Sequence, residues 1–331
     1  MPDIVYLRIN RRLLLLPNPP TQNQPNPPSS QPFLGETSNL NIIAGRLRDI
    51  QTFSGPTVDW LIHVARLILD PRGAGILYTF QTETVQYWLN RELAGSWRQV
   101  AAGEQLQPTI YEYRRLDGQP MDLTRICDCQ IDSMSTRHTR EEAEFRNAIP
   151  TQHIECIISR ASYDRTLTSS HLIPACLGDA GVQYIFERFT GLSNPVTRHH
   201  QSITIPLNLF LDAFVASFEL GFWNTGDVCI SSLCTLPCID MVQNQYEVHV
   251  FIPHELNING LQRGPNDPHL HRYVISVRTD PPSGVFAWHY VQCVLRRFGT
   301  EEYRAVNNIV HFAFEFPPTD DEPELDCFFG E

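Results

Sequence analysis

Ser169-Ser170-His171-Leu172-Ile173-Pro174 sits between a polar turn and a helical pattern that runs from Val182 to Thr190. Upstream, Glu155-Cys156-Ile157-Ile158-Ser159 lies in a β-branched run, and Ile154 to Ser159 reads as a strand. Downstream, Pro206 to Phe218 is almost wholly apolar and reads as one helix, interrupted by Asn208 and Asp212. Glu219-Leu220-Gly221-Phe222-Trp223 then reads as a short aromatic strand. The alternation from Tyr246 to Ile252 predicts another. Strands and helices thus mix along this segment, and an α+β class is expected.

The rest of the chain fits the same class. Val5, Leu7 and Ile9 alternate with polar neighbours and predict a short strand. Pro17 to Pro32, rich in Pro, Asn, Gln and Ser, is expected to be a disordered linker. Order is expected to resume between Asn41 and Phe53. Thr57 is placed to cap a helix carrying Val58, Leu61, Ile62, Ala65, Ile68 and Leu69, which Pro71 stops. Gly73 and Gly75 predict a turn, Ile76 to Phe80 a strand, Glu83 to Leu93 a helix, and Thr109 to Arg115 another strand. Residues 128–142 are polar and aperiodic and read as a loop. Pro282 to Phe298 is helical by spacing, with Ala287, Tyr290, Val291, Val294 and Leu295 on its buried face. Glu315 to Glu331 holds seven acidic residues and no basic one, and reads as a solvated tail.

Composition narrows the chemistry. The 331 residues are 42% apolar, enough for a sizeable core. The formal charge of −12 argues against a uniformly basic nucleic-acid binder, although a local basic groove stays compatible with it. All 25 basic residues are arginine. Schiff-base and P-loop lysine chemistry are therefore excluded, and no nucleotide cofactor is expected. No run approaches the roughly 20 apolar residues that cross a bilayer, so no membrane partner is expected. Nine scattered cysteines without a secretory leader suggest reduced thiols and an intracellular protein, cytoplasmic or nuclear.

The stretch from Cys156 to Trp223 resembles the HNH-endonuclease-like proteins expanded in basidiomycete fungi. The likeness rests on Glu155-Cys156-Ile157-Ile158-Ser159, Ser170-His171-Leu172-Ile173-Pro174, Gly178-Asp179-Ala180-Gly181, Phe186-Glu187-Arg188-Phe189-Thr190-Gly191 and Phe218-Glu219-Leu220-Gly221-Phe222-Trp223. Weaker similarity, at Gln86 to Arg91, Tyr111 to Arg114 and Trp288-His289-Tyr290, extends it over residues 55–300. The resemblance implies an HNH-like ββα element embedded in a mixed α/β protein. With the residue patterns, this divides the expected chain into an N-terminal segment with the Pro-rich linker at 1–50, a small α/β lobe at 51–126, a polar loop at 127–145, and the HNH-like domain at 146–262. A C-terminal helical segment at 263–316 and an acidic tail at 317–331 follow.

Such a site hydrolyses phosphodiesters of DNA or RNA. A histidine at a strand end deprotonates water, and a divalent metal, Mg²⁺ or Zn²⁺, stabilises the phosphorane and the leaving oxygen. His171 matches the base. Ser170 stands where an acidic or histidine ligand commonly precedes it. The asparagine that orients the base falls near Gln201 or Ser202. The helix histidine falls at Phe210 or Leu211, neither of which binds metal, so the metal half is degenerate. Asp212 with Asn208, one helical turn apart, or His199 and His200 ahead of the helix, are the replacement ligands to weigh. The expected function is an HNH-nuclease-like protein, impaired in catalysis. The alternative is a non-catalytic binding or scaffold protein with nucleic-acid or protein partners.

Three further groups stand apart. Cys229, Cys234 and Cys238, with His249 or His254, are the only dense thiol set and would suit zinc or simply pack. Cys127-Asp128-Cys129 places two thiols two residues apart. Trp60, Trp88, Trp97, Trp223 and Trp288 are expected in the core.

Overall fold

The computed structural model describes residues 3–14, 39–71, 73, 75–80, 97–127, 155–160, 167–225, 244–251, 270–277 and 281–306. The linker from Pro17 to Pro32, the helix expected at Glu83 to Leu93, the polar loop at 128–142 and the acidic tail lie outside the described residues, as do Cys129, Cys229, Cys234, Cys238, His254 and Trp88.

The fold is α+β. Its first sheet contains five strands: β1 (Ile4–Asn10), β2 (Asn39–Arg46), β3 (Gly75–Phe80), β4 (Trp97–Gln99) and β5 (Ile110–Arg115), in the order β2-β1-β5-β3-β4. Only β1 and β5 run parallel; the other pairs are antiparallel. Two of these strands come from residues 1–50 and three from residues 51–126. The period-two pattern of β1 buries Val5, Leu7 and Ile9 completely. Helices α1 (Leu47–Ser54) and α2 (Asp59–Leu69) cover that face, and Trp60, Leu61, Val64, Ala65 and Ile68 of α2 face inward. Thr57 does not cap α2. Its hydroxyl donates to Asp59 at 2.8 Å, Val58 holds the cap position, and Thr57 forms an isolated bridge with Gln105. On the opposite face Arg8 is buried against Glu112, which also accepts from Arg114.

Strand β6 (Leu167–His171) and strand β7 (Thr204–Asn208) form a separate antiparallel pair. Between them lies helix α3 (Gly178–Thr190), which Gly191 ends in the left-handed region at φ 75°. Helix α4 (Leu209–Ala216) follows β7 without a break. The single helix expected from Pro206 to Phe218 is therefore a strand followed by a helix. Residues 155–160 are a turn, not the expected strand. There Cys156 Sγ accepts the amides of Ser159 at 3.3 Å and Asn208 at 3.4 Å, and Ile157 donates to Pro206 O at 3.1 Å. Strands β8 (Leu220–Asn224), β9 (Asn244–Val250) and β10 (Tyr273–Val277) make a third, antiparallel sheet in the order β10-β9-β8.

Helix α5 (Ser283–Phe298) joins these layers, and eleven of its sixteen residues are buried. Gly221 of β8 approaches so closely that an added Cβ would lie 3.0 Å from Tyr290 and 3.1 Å from Cys293. Gln292 accepts the amide of Cys127 at 2.8 Å and donates to Arg125 O at 2.9 Å. Just beyond the helix, Thr300 N donates to Ile42 O of β2 at 3.0 Å. Most of the buried apolar side chains form one continuous cluster from Val5 to Tyr303. Trp60 and Trp288 belong to it as expected, whereas Trp97 and Trp223 are only half-buried. Among the described residues no helix is long and apolar enough to cross a membrane.

Candidate functional site

His171 is the last residue of β6, in register with Thr204 of β7. Its Nε2 lies 3.1 Å from the carbonyl oxygen of Arg198. A carbonyl only accepts, so in the neutral ring Nε2 carries the proton and Nδ1 is the basic nitrogen. The His199 ring stands edge-on to that of His171, with centroids 6.2 Å apart. The antiparallel pair, the histidine at its open end and the helix entered straight from the second strand form a β-β-α path, with α3 inserted between the strands.

The other residues expected here are not gathered around His171. Ser170 precedes it in the strand, so its side chain points to the opposite face. It is fully buried, and its Oγ has no hydrogen-bond partner among the described residues. His200 caps the short turn 201–203, its Nδ1 accepting from Ser202 N at 3.1 Å. Asn208 is the N-cap of α4, with extended backbone angles, and its side chain accepts from Phe210 N at 2.9 Å. Asn208 thus stands at the cap of α4, and its side-chain oxygen is engaged by the helix amide. Asp212 lies half-buried in the first turn of α4. At the helix-histidine position Phe210 is 52% exposed and stacks edge-on to Phe214, while Leu211 is buried. Among the described residues no three His, Cys, Asp or Glu side chains come together in a metal-binding group.

The thiols depart from expectation in one place. Cys127, Cys156 and Cys293 are buried, but Cys176, in the turn before α3, is disulfide-bonded.

A second polar constellation was not anticipated. Trp60 Nε1 of α2 donates to Tyr290 Oη of α5 at 2.7 Å. Tyr290 Oη lies 2.6 Å from His249 Nδ1, and His249 Nε2 lies 2.9 Å from Glu247 Oε1. Indole N–H can only donate and an ionised carboxylate can only accept, so with a neutral imidazole between them every proton along the relay is assigned. Tyr290 donates to His249 Nδ1, and His249 Nε2–H donates to Glu247. Both nitrogens of His249 are thus engaged in hydrogen bonds. Burial lowers its pKa to about 4, against a smaller opposing effect of Glu247. The hydrogen bond from His249 in turn lowers the pKa of Glu247. Next to Tyr290, His289 donates through Nε2 to Val215 O of α4 at 3.0 Å, and burial lowers its pKa to about 4 as well. The visible signal was polar side chains within an otherwise buried helix, Trp288-His289-Tyr290, which demand partners.

Compared with protein-family models, with curated proteins and with solved structures, the chain gives no match.

Proposed function

We propose that the chain is an HNH-nuclease-like protein that keeps the base half of a phosphodiester-hydrolysing site and is impaired in the metal half. The observation that carries this reading is His171 at the end of β6 with Nε2 held by Arg198 O. That hydrogen bond orients the imidazole, and the backbone carbonyl takes the orienting role that the resemblance assigns to an asparagine near Gln201 or Ser202. The path from β6 through β7 into α4 supports the same reading, as does the placement of the base at a strand end. Phe210 and Leu211 supply no ligand, so a bound phosphodiester would lack charge stabilisation at its leaving oxygen, and slow turnover follows.

The test is cleavage of plasmid and single-stranded DNA and of RNA across Mg²⁺, Mn²⁺, Ni²⁺ and Zn²⁺, with wild type and His171→Ala. Slow cutting that His171→Ala abolishes is the expected result. Cutting that survives the substitution removes His171 from the base role. A folded sample that cuts nothing under any metal favours the second reading, a non-catalytic binding or scaffold protein. One observation favours that alternative specifically: Leu209 and Phe210 present 58% and 52% of their surface to solvent at the start of α4, where a working site would place a ligand.

A further inference from the structure

The segment between Gly191 and His199 has no regular secondary structure, yet it is held at regular intervals. After Gly191 the chain reverses and runs back along α3. Gln183 donates to Asn194 O at 3.2 Å and accepts from Val196 N at 2.6 Å. Asp179 accepts from Arg198 N at 2.8 Å. Positions 179 and 183 are four apart and share one face of α3, so two side chains of one helix hold the returning strand of chain. Val196 is the apolar anchor between them, 3% exposed. The last residue held is Arg198, and its carbonyl is the one that accepts from His171.

We propose that Asp179 is a positioning residue for His171, with Gln183 supporting it. By binding the amide of Arg198, the carboxylate fixes the carbonyl that selects the Nε2–H tautomer of His171. Asp179 lies in the Gly178-Asp179-Ala180-Gly181 run that opens α3. Its connection to the site passes through the backbone alone: Asp179 carboxylate, Arg198 amide, Arg198 carbonyl, His171 imidazole. The functional meaning rests on the reading of His171 as a base; the geometry does not.

The experiment reads the imidazole directly. Long-range ¹H–¹⁵N correlation spectra of the histidine-labelled full chain report the tautomer of each neutral ring. The chain has twelve histidines, and the spectrum of His171→Ala assigns the resonance of interest. The hydrogen bond to Arg198 O biases the ring toward Nε2–H by about tenfold beyond its solution preference. Asp179→Ala should remove about that factor, moving the ¹⁵N shifts toward solution values. Asp179→Asn retains an acceptor oxygen and should leave the spectrum near wild type. An unchanged tautomer in folded Asp179→Ala overturns the proposal, and so does an Asp179→Asn spectrum displaced as far as that of the alanine variant. If Asp179→Ala does not fold, Gln183→Ala is read instead: a shift in the same direction supports the clamp, and no shift overturns it. The cleavage assay is separate. A wild type that cuts nothing while Asp179→Ala moves the tautomer ends the nuclease reading and leaves the clamp standing.

Discussion

Acidification from pH 7.5 to 5.5 should cost this fold much of its stability, through two histidines of its core. His249 and His289 are both fully buried and neutral, with pKa values lowered by burial to about 4. In the unfolded chain both titrate near 6.5. The sign follows from the depressed folded values. Above pH 6.5 neither state is protonated, and the full stability is present. As pH falls below 6.5 the unfolded chain takes up two protons that the folded chain refuses, and stability is lost until pH reaches about 4. One unit below 6.5 the pair removes between about 2 and 3 kcal/mol, against a total of roughly 5–15 kcal/mol for a typical domain. Glu247, whose pKa is also depressed, adds its own loss at lower pH still, as its carboxylate becomes protonated. Urea unfolding followed by tryptophan fluorescence at pH 7.5, 6.5 and 5.5 measures the slope. His249→Gln and His289→Gln should each remove about half of it, whatever they cost at pH 7.5. A free energy that stays flat from pH 7.5 to 5.5, or a slope unaltered in the double variant, would refute the reasoning.

Tyr290→Phe deletes the hydroxyl between Trp60 and His249 and leaves a buried donor and a buried acceptor without partners, so the urea midpoint should fall by the equivalent of about 2–5 kcal/mol. Adding Trp60→Phe should cost less than its effect alone, as a double-mutant cycle would report. Gly284→Ala places a methyl 2.4 Å from Phe189 O and 2.6 Å from Phe189 C. The obstacle is backbone at the end of α3, and a loss of about 1–3 kcal/mol is expected in the same titration. Asn208→Ala should cost about 1 kcal/mol as a lost helix cap, with no change in bound metal by elemental analysis. A fall in metal content would instead return Asn208 to the ligand set.

What was legible in the sequence was what local pattern encodes. The alternation at Val5, Leu7 and Ile9 predicted β1, and the apolar spacing around Tyr290 and Val294 predicted α5. The failures have physical causes. Ile205-Pro206-Leu207 is apolar throughout, so period two and period 3.6 were indistinguishable there. Pro206 then suggested a helix start, yet a two-stranded ladder tolerates a proline, whose carbonyl here accepts from Ile157. Ile157 and Ile158 carry strand propensity, but the sulfur of Cys156 gathers two amides and a turn results. Of the candidate site, His171 was visible because a side chain is written in the sequence. Its partner is a backbone carbonyl, which every residue possesses, and no motif distinguishes Arg198 O from any other. The relay through Trp60, Tyr290, His249 and Glu247 spans 230 positions between its first two members. It follows from topology, which residue patterns do not display.

The central placement of α5 bears on how the protein is made. The first sheet and its helices are synthesised early, but Tyr290 and Gln292, which bind Trp60 and Arg125, come 230 and 167 residues later, and Thr300 follows Ile42 by a similar interval. At the usual ribosomal pace the wait between β2 and α5 is roughly ten to fifty seconds. Through that interval the nascent chain carries a sheet with its last packing partner missing and apolar surface exposed to water. Chaperone capture on the ribosome should therefore persist until residue 300 has emerged, and chains stalled before α5 should be the ones that aggregate.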